Sequence, residues 1–506
     1  MRGSVGPRTG AARRTPRNRT ERPHVTTASG KPAPFNRNVV LATLVSGAFI
    51  VILNQTLLNT ALPAFMRDFD ITANSAQWVT TIFMLVNGIM IPITAFLIQK
   101  FTTRTLFFTA MGLFTVGTVI CALAPVYPVL LLGRVVQASG GGIIMPLMQT
   151  ILFAVFPLEK RGSAMGTFGL VIAFAPAIGP SLSGWIVDHL PWQTLFIMLV
   201  PIAIIDMIVA HFILKNVTER TFPRLDVVSI ILSTFGFGGL LFGLGTAGNT
   251  GWASTEVLIS LPVGVVSLVW FILRQTRLEQ PILEFRVLRY RMFTLGTALG
   301  MLVFMAMIGG MLLIPLYMQN MTGHSAMSSG LVLLPGAAVM GLMSPVTGRI
   351  FDRFGARWLA IIGFGLVTVT TFMFAVLTPT TSFAYIAIVN GVRMFGTAMV
   401  IMPVTTAALN QLPQHLIPHG TALNNTLRQI AASVGTAVLV TVMTSAALDP
   451  ATHGAQGPIH GVNVAFIVAG CIGVLGFIGA FFIRSLRPRT VTTGRSGPGE
   501  EGLTEG

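Results

Sequence analysis

Arg134 and Gln137 stand three residues apart, on one face of any helix they occupy, inside a stretch otherwise built of apolar and small side chains. Arginine is not deprotonated in a protein, so a guanidinium there must meet carbonyls, an opposite charge or water. Arg393 and Arg428 interrupt later apolar stretches in the same way. Asp206 is the one acid well inside such a stretch, and so the side chain best suited to take up and release a proton there. Arg134, Asp206 and Arg393 form the candidate proton-coupling and charge-relay set. Asn54, Gln55 and Asn59 cluster in the first apolar stretch and Asn87 lies in the second; with Gln137 they are candidate cavity amides, able to bond a small molecule without demanding a charge. The same amides could equally hold helices together. Phe83, Phe174 and Phe304 are candidate aromatic lining.

Residues of this kind need a scaffold that holds them in lipid. The 506-residue chain is 53% hydrophobic and only 9% charged, where soluble domains carry about 25% charged residues. That excludes a water-soluble multidomain protein. A membrane-crossing helix needs roughly 20 apolar residues, and fourteen segments qualify: 38–61, 76–98, 104–124, 127–152, 163–187, 193–215, 226–247, 254–273, 292–318, 326–348, 358–377, 383–410, 420–446 and 462–483. The fold class expected is an all-α membrane protein of fourteen transmembrane helices, multi-pass in the cell membrane, its first partner the lipid bilayer. The net charge of +16 would fit nucleic-acid binding were it clustered on a domain. Instead Lys100, Lys160, Arg161, Lys215, Arg274, Arg277, Arg349, Arg353 and Arg357 fall on one side of the spans and Arg67 alone on the other. By the positive-inside rule both termini are cytoplasmic, and no nucleic-acid role remains.

The chain also repeats itself. TAFLIQKFTTR (94–104) matches TGRIFDRFGAR (347–357), and Pro146, Pro157 and Gly162 pair with Pro403, Pro413 and Gly420 at nearly the same offset. This divides the chain into a disordered basic tail (1–37), an N-terminal six-helix half (38–215), two inserted helices with a cytoplasmic linker (216–291), a C-terminal six-helix half (292–484) and a second disordered tail (485–506). Paired halves with a substrate site between them near the bilayer midplane are a transporter arrangement. Cys121 and Cys471 have no disulfide or metal spacing, the histidines no metal-like grouping, and no Walker motif or nucleophile elbow occurs. The expectation is a protein that is not an enzyme and takes no cofactor or metal.

In the fifth span Gly162, Gly166, Gly169, Ala173, Ala177, Ser181 and Gly184 repeat along one helical face. In a soluble helix each glycine would cost roughly 1 kcal/mol against alanine; between membrane helices such residues let backbones approach closely. Pro176 and Pro180 lack backbone donors and should kink this span.

Gly348-x3-Asp352-Arg353-x-Gly355-x-Arg357 resembles the cytoplasmic loop signature of the major facilitator superfamily. Arg134 to Gly140 resembles its span-4 arginine motif, and Ala175 to Gly184 its span-5 antiporter motif. Asn54 to Pro63 resembles the span-1 signature of the fourteen-helix drug/proton antiporters, the nearest likeness being to Gram-positive multidrug and lincomycin-type exporters. The resemblance covers the chain from about Asn38 to Arg484. It implies export of small amphipathic compounds driven by inward flow of protons through alternating access. It also implies an antiporter-motif packing face at Gly169, Pro176, Gly179, Pro180 and Gly184, and a cytoplasmic latch at Arg104, Gly348, Asp352, Arg353, Gly355 and Arg357. An accessory subunit is neither required nor excluded. Asn54 stands where members often carry an aspartate. Ala95, Gln99, Lys100 and Thr102 replace the expected Gly, Asp, Arg and Gly of the first loop, and Ser183 replaces a glycine of the antiporter motif. The missing span-1 acid keeps a second reading open, a nutrient or metabolite facilitator or importer on the same fold. Three embedded arginines against one clear acid lean towards neutral or anionic compounds.

Overall fold

A computed structural model describes residues 3, 37–58, 61–217, 225–454 and 456–483. The expected cavity amide Asn59 lies outside them, as do the tails expected at 1–37 and 485–506 apart from Gly3 and Arg37. The described residues hold helices and no strand, as lipid demands: a helix bonds its own backbone groups where no water can.

Fourteen of these helices are long and apolar enough to cross a membrane: Arg37–Leu57, Ser75–Lys100, Thr103–Ala122, Tyr127–Val155, Leu158–His189, Thr194–Ile213, Val227–Gly248, Thr255–Arg277, Arg291–Met321, Met327–Phe354, Ala356–Val376, Phe383–Leu409, Gln414–Ala446 and Gln456–Ala480. They are spans 1 to 14 below. Large apolar side chains such as Phe212, 80% exposed, and Trp270 point outward, whereas Arg134, Gln137, Arg393 and Arg428 are turned in. A water-soluble protein does the reverse.

Three seams position the site. Span 5 packs along span 10, span 2 meets span 13, and spans 3 and 4 pack closely together. Span 10 ends at Gly355, whose φ of 81° is open to glycine at little cost, so span 11 can start at once at Ala356. Span 7 packs on spans 2 and 13, and span 8 packs on span 7. Spans 7 and 8 touch backbone to backbone: a Cβ on Gly239 would stand 2.8 Å from Cα of Gly264.

The hairpin of spans 7 and 8 is clamped at one end by Arg274, which donates to both Asp226 oxygens at 2.7 and 3.1 Å. The Arg274 guanidinium, helped by the Ser229 hydroxyl, holds the Asp226 carboxyl below the usual carboxylate range. A folded-state value that is depressed stabilises above the unfolded value and loses that stability as pH falls through the folded one. Thermal unfolding should therefore place Asp226→Asn below wild type near neutral pH, with the gap closing as pH drops below about 4.

Candidate functional site

Arg134, fully buried, is the hub of one polar network. Its Nε donates to the Val79 carbonyl at 2.9 Å and its Nη1 to Gln137 Oε1 at 2.5 Å. Gln137 Nε2 in turn donates to Asn54 Oδ1 at 3.1 Å and Thr118 Oγ1 at 2.7 Å. The Phe83 ring lies 4.2 Å from the guanidinium carbon. Spans 1, 2, 3 and 4 are thus knitted together around a cation whose neighbours are carbonyls, amides and an aromatic face. Glycine lets the helices come this close: a Cβ on Gly117 would stand 2.6 Å from Gln137 Cα. Asn54 and Gln137, expected in a cavity, sit inside this hub, each no more than 1% exposed. Gln55 is half-buried beside them, and Asn87 lies against Gly141 and Gly142 of span 4.

Asp206 is elsewhere. It is 6% exposed, and Oδ1 accepts a short hydrogen bond from the Ser46 hydroxyl, joining spans 6 and 1. Its Oδ2 has no partner and faces Gly47. Ser46 and Asn54 both lie on span 1, eight residues or roughly 12 Å apart. One helix therefore carries both the acid's partner and a member of the arginine hub, while the acid and the guanidinium stay unpaired with each other. Arg393 occupies span 12, where Nη2 donates to the Met307 carbonyl at 3.2 Å and the guanidinium packs on Gly310 of span 9. Of the charge-relay set, no two members touch.

The glycine face divides. Gly162, Gly166 and Gly169 meet span 10, with Gly166 so placed that an added Cβ would stand 2.9 Å from Pro345 Cα. Gly179 instead meets Thr56 of span 1, and an added Cβ at Gly184 would meet open space. The helix runs on from Arg161 to His189 through Pro176 and Pro180, and Thr56 Oγ1 donates to the Ala175 carbonyl at 3.2 Å.

At the start of span 5 the Gly162 and Ser163 amides donate to the two Asp352 oxygens at 2.7 and 2.9 Å. A carboxylate from span 10 therefore neutralises the N-terminal end of another helix dipole. Gly348 is there because a side chain would strike Gly162, its added Cβ standing 2.9 Å from the Gly162 carbonyl carbon. Arg353 and Arg357 are exposed. Arg104, expected in this latch, instead donates to His211 Nδ1 at 3.0 Å, linking spans 3 and 6. Asp352→Ala should lower thermal stability by roughly 1–2 kcal/mol, as loss of a helix cap does, while Arg353→Ala leaves it within about 0.5 kcal/mol; unfolding in detergent measures both.

The chain matches the Major Facilitator Superfamily over residues 44–436. It belongs to that superfamily. Among curated relatives, the uncharacterized MFS-type transporter YcnB of Bacillus subtilis is 56% identical over 452 residues, 89% of this chain and 96% of its own. The lincomycin resistance protein LmrB of Bacillus subtilis is 43% identical, covering 88% of this chain and 96% of its own. Among solved structures, the human organic anion transporter MFSD10 aligns over 88% of this chain and 99% of its own with a TM-score of 0.65 at 12% identity, a likeness of fold. The transporter is a multi-pass membrane protein and not an enzyme.

Several bonds of the transporter were not foreseen from sequence. Gln99 contacts His419 at 2.5 Å, Asn425 donates to Gln149 at 2.9 Å, Thr150 and Thr421 share a 3.1 Å bond, and Arg161 donates to Asn410 at 3.0 Å. With Asp352 on Gly162 and Ser163, they tie spans 2, 4 and 5 to spans 10, 12 and 13. Each lies towards the membrane face that carries Lys100, Lys160, Arg353 and Arg357. The available signal was modest: polar side chains at matching depths of spans 4 and 13.

Proposed function

We propose that this transporter exports small amphipathic compounds in exchange for protons, by alternating access between a six-helix half at 38–215 and another at 292–484. The residues 216–291 supply two inserted helices and a linker, and both termini are cytoplasmic. The observation that carries the reading is the one-sided set of cross-bonds at the basic face. On the positive-inside reading that face is cytoplasmic, so the geometry corresponds to a carrier closed to the cytoplasm. The glycine seam of spans 5 and 10 offers the low-friction surface on which the halves would rock. The likeness to the lincomycin resistance protein LmrB supports drug compounds as the cargo.

In this reading Asp206 loads the proton. Protonation removes the negative charge that Ser46 and the backbone near Gly47 now face, loosening span 6 from span 1, and span 1 passes the change to the hub through Asn54. Arg134 holds spans 1 to 4 in register and Arg393 anchors span 12 on span 9. Asp206→Asn mimics the protonated acid. It should abolish pH-dependent efflux, lowering gradient-driven transport at least about 10-fold, while leaving drug binding intact. Unchanged pH-dependent efflux by the variant removes Asp206 from the mechanism.

A resistance profile across chemically diverse drugs tests the function as a whole. In an efflux-deficient bacterial host, wild type should raise the inhibitory concentration of several amphipathic drugs and Arg134→Ala should not. Drug accumulation by cells carrying wild type would contradict export and favour an importer.

A further inference from the structure

Arg428 is the embedded arginine that the proposed mechanism leaves unused. It lies on span 13, eleven residues past Ile417 or roughly 16 Å along the helix, near the middle of a hydrocarbon core about 30 Å thick. It is 5% exposed. Among the described residues its contact is the Phe304 ring of span 9, 4.8 Å from the guanidinium carbon, with no hydrogen bond or ion pair to protein. Arg134 and Arg393 both bond carbonyls; Arg428 does not.

Its surroundings are unsatisfied too. Asn424, one turn earlier and 1% exposed, has neither amide atom bonded. It faces Gly300, whose added Cβ would stand 4.0 Å from Asn424 Oδ1. Thr297, on the same stripe of span 9 as Gly300 and Phe304, is 2% exposed with its hydroxyl unbonded. A buried polar group left without a partner costs roughly 1–3 kcal/mol. The Arg134 hub also leaves Arg134 Nη2 and Asn54 Nδ2 unbonded, but its guanidinium has a carbonyl and an amide oxygen as partners. Among the described residues the Arg428 guanidinium, the Asn424 amide and the Thr297 hydroxyl have no hydrogen-bond partner from protein. The neighbouring residues look the other way: Asn425 bonds Gln149 of span 4, and Gln429 lies against Gly88 of span 2. The seam therefore lies where span 13 packs on span 9 and, on its other side, on spans 2 and 4.

We infer that Arg428, Asn424 and Thr297 form an anion subsite that takes the carboxylate of an amphipathic aromatic substrate, with Phe304 stacking beneath the guanidinium. A guanidinium presents paired N–H groups in its plane that match a carboxylate, and a ring on its face leaves that edge free. The amide and hydroxyl supply further donors. A cationic group would be repelled, and a neutral one would leave the charge unpaired. The inference rests on the proposed export role for the fate of the bound compound, but the binding itself is measured separately.

The test uses the full-length transporter in lipid nanodiscs, titrated with 1-pyrenebutyrate and, separately, its neutral methyl ester, read by pyrene fluorescence. Wild type should bind the acid at least about 10-fold more tightly than the ester. Arg428→Gln should weaken the acid by that factor and leave the ester unchanged, and Arg428→Lys should keep part of the preference. Asn424→Asp sets a carboxylate one turn from an intact Arg428 and should also erase the preference; if Arg428→Gln does not fold, this variant decides. Wild type binding neither probe or both alike, equal loss of both probes in Arg428→Gln, or an undiminished preference in Asn424→Asp overturns the subsite. Intact acid preference in a protein that moves no drug would instead overturn the export reading and leave the subsite standing.

Discussion

Arg134→Ala is expected to abolish drug resistance and to lower thermal stability by roughly 2–5 kcal/mol, the cost of stranding two buried acceptors. Those acceptors are the Val79 carbonyl and Gln137 Oε1, which lose their donors at 2.9 and 2.5 Å. The damage spreads because Gln137 is also what holds Asn54 and Thr118. Arg134→Lys keeps the charge but not the two-directional fork, so it should recover part of the stability and little of the transport. A double-mutant cycle of Arg134→Ala with Gln137→Ala should show coupling above about 1 kcal/mol, since the two share one network. Unfolding in detergent and growth on drug read the two effects. A stable, fully resistant Arg134→Ala strain would reduce the hub to ordinary packing.

Gly166→Leu should be as damaging by a different route. An added Cβ there would stand 2.5 Å from the Ser344 carbonyl oxygen and 2.9 Å from Pro345 Cα. Both are backbone, so no rotamer change relieves the clash and span 5 must move off span 10. Drug resistance should fall to the level of cells lacking the transporter, with protein still present in the membrane. Gly184→Leu is the control: nothing lies within 4 Å of its added Cβ, and resistance should stay within about twofold of wild type, as for substitutions away from packed features. Equal loss from both substitutions would point to added bulk anywhere on span 5 rather than to the seam.

The contrast between those two glycines shows how far the sequence could be read. Fourteen spans were legible because the length of an apolar segment is dictated by bilayer thickness, a constraint local to each segment. Arg134 with Gln137 was legible because a charge among apolar residues must find partners, and the i, i+3 spacing names the first. The small-residue face predicted close packing, but a stripe says nothing of which neighbour it meets. Gly162 to Gly169 found span 10, Gly179 found span 1, and Gly184 found none. Arg104 fits the loop signature in sequence, but the start of span 3 faces span 6, so His211 receives it. Asn54 read as a cavity amide because its side chain can bond anything; only the approach of span 4 decides that Gln137 takes it. Ser46 carries no signal in the sequence, because a hydroxyl in a membrane helix usually bonds its own backbone and nothing local distinguishes one that meets an acid from span 6. The cross-bonds of Gln99, Gln149 and Asn410 were invisible for a related reason. Polar residues near span ends read as boundaries until the two groups of helices are brought together.

Proton-driven export is the claim on which the rest depends, and everted membrane vesicles put it to the most direct test. Vesicles from the efflux-deficient host should take up the drug with the largest resistance shift when respiration acidifies their interior. Uptake should stop within the time needed for a proton ionophore to collapse the gradient, and Asp206→Asn vesicles should show the residual rate from the start. Uptake that continues undiminished after complete collapse of the proton gradient would contradict the account.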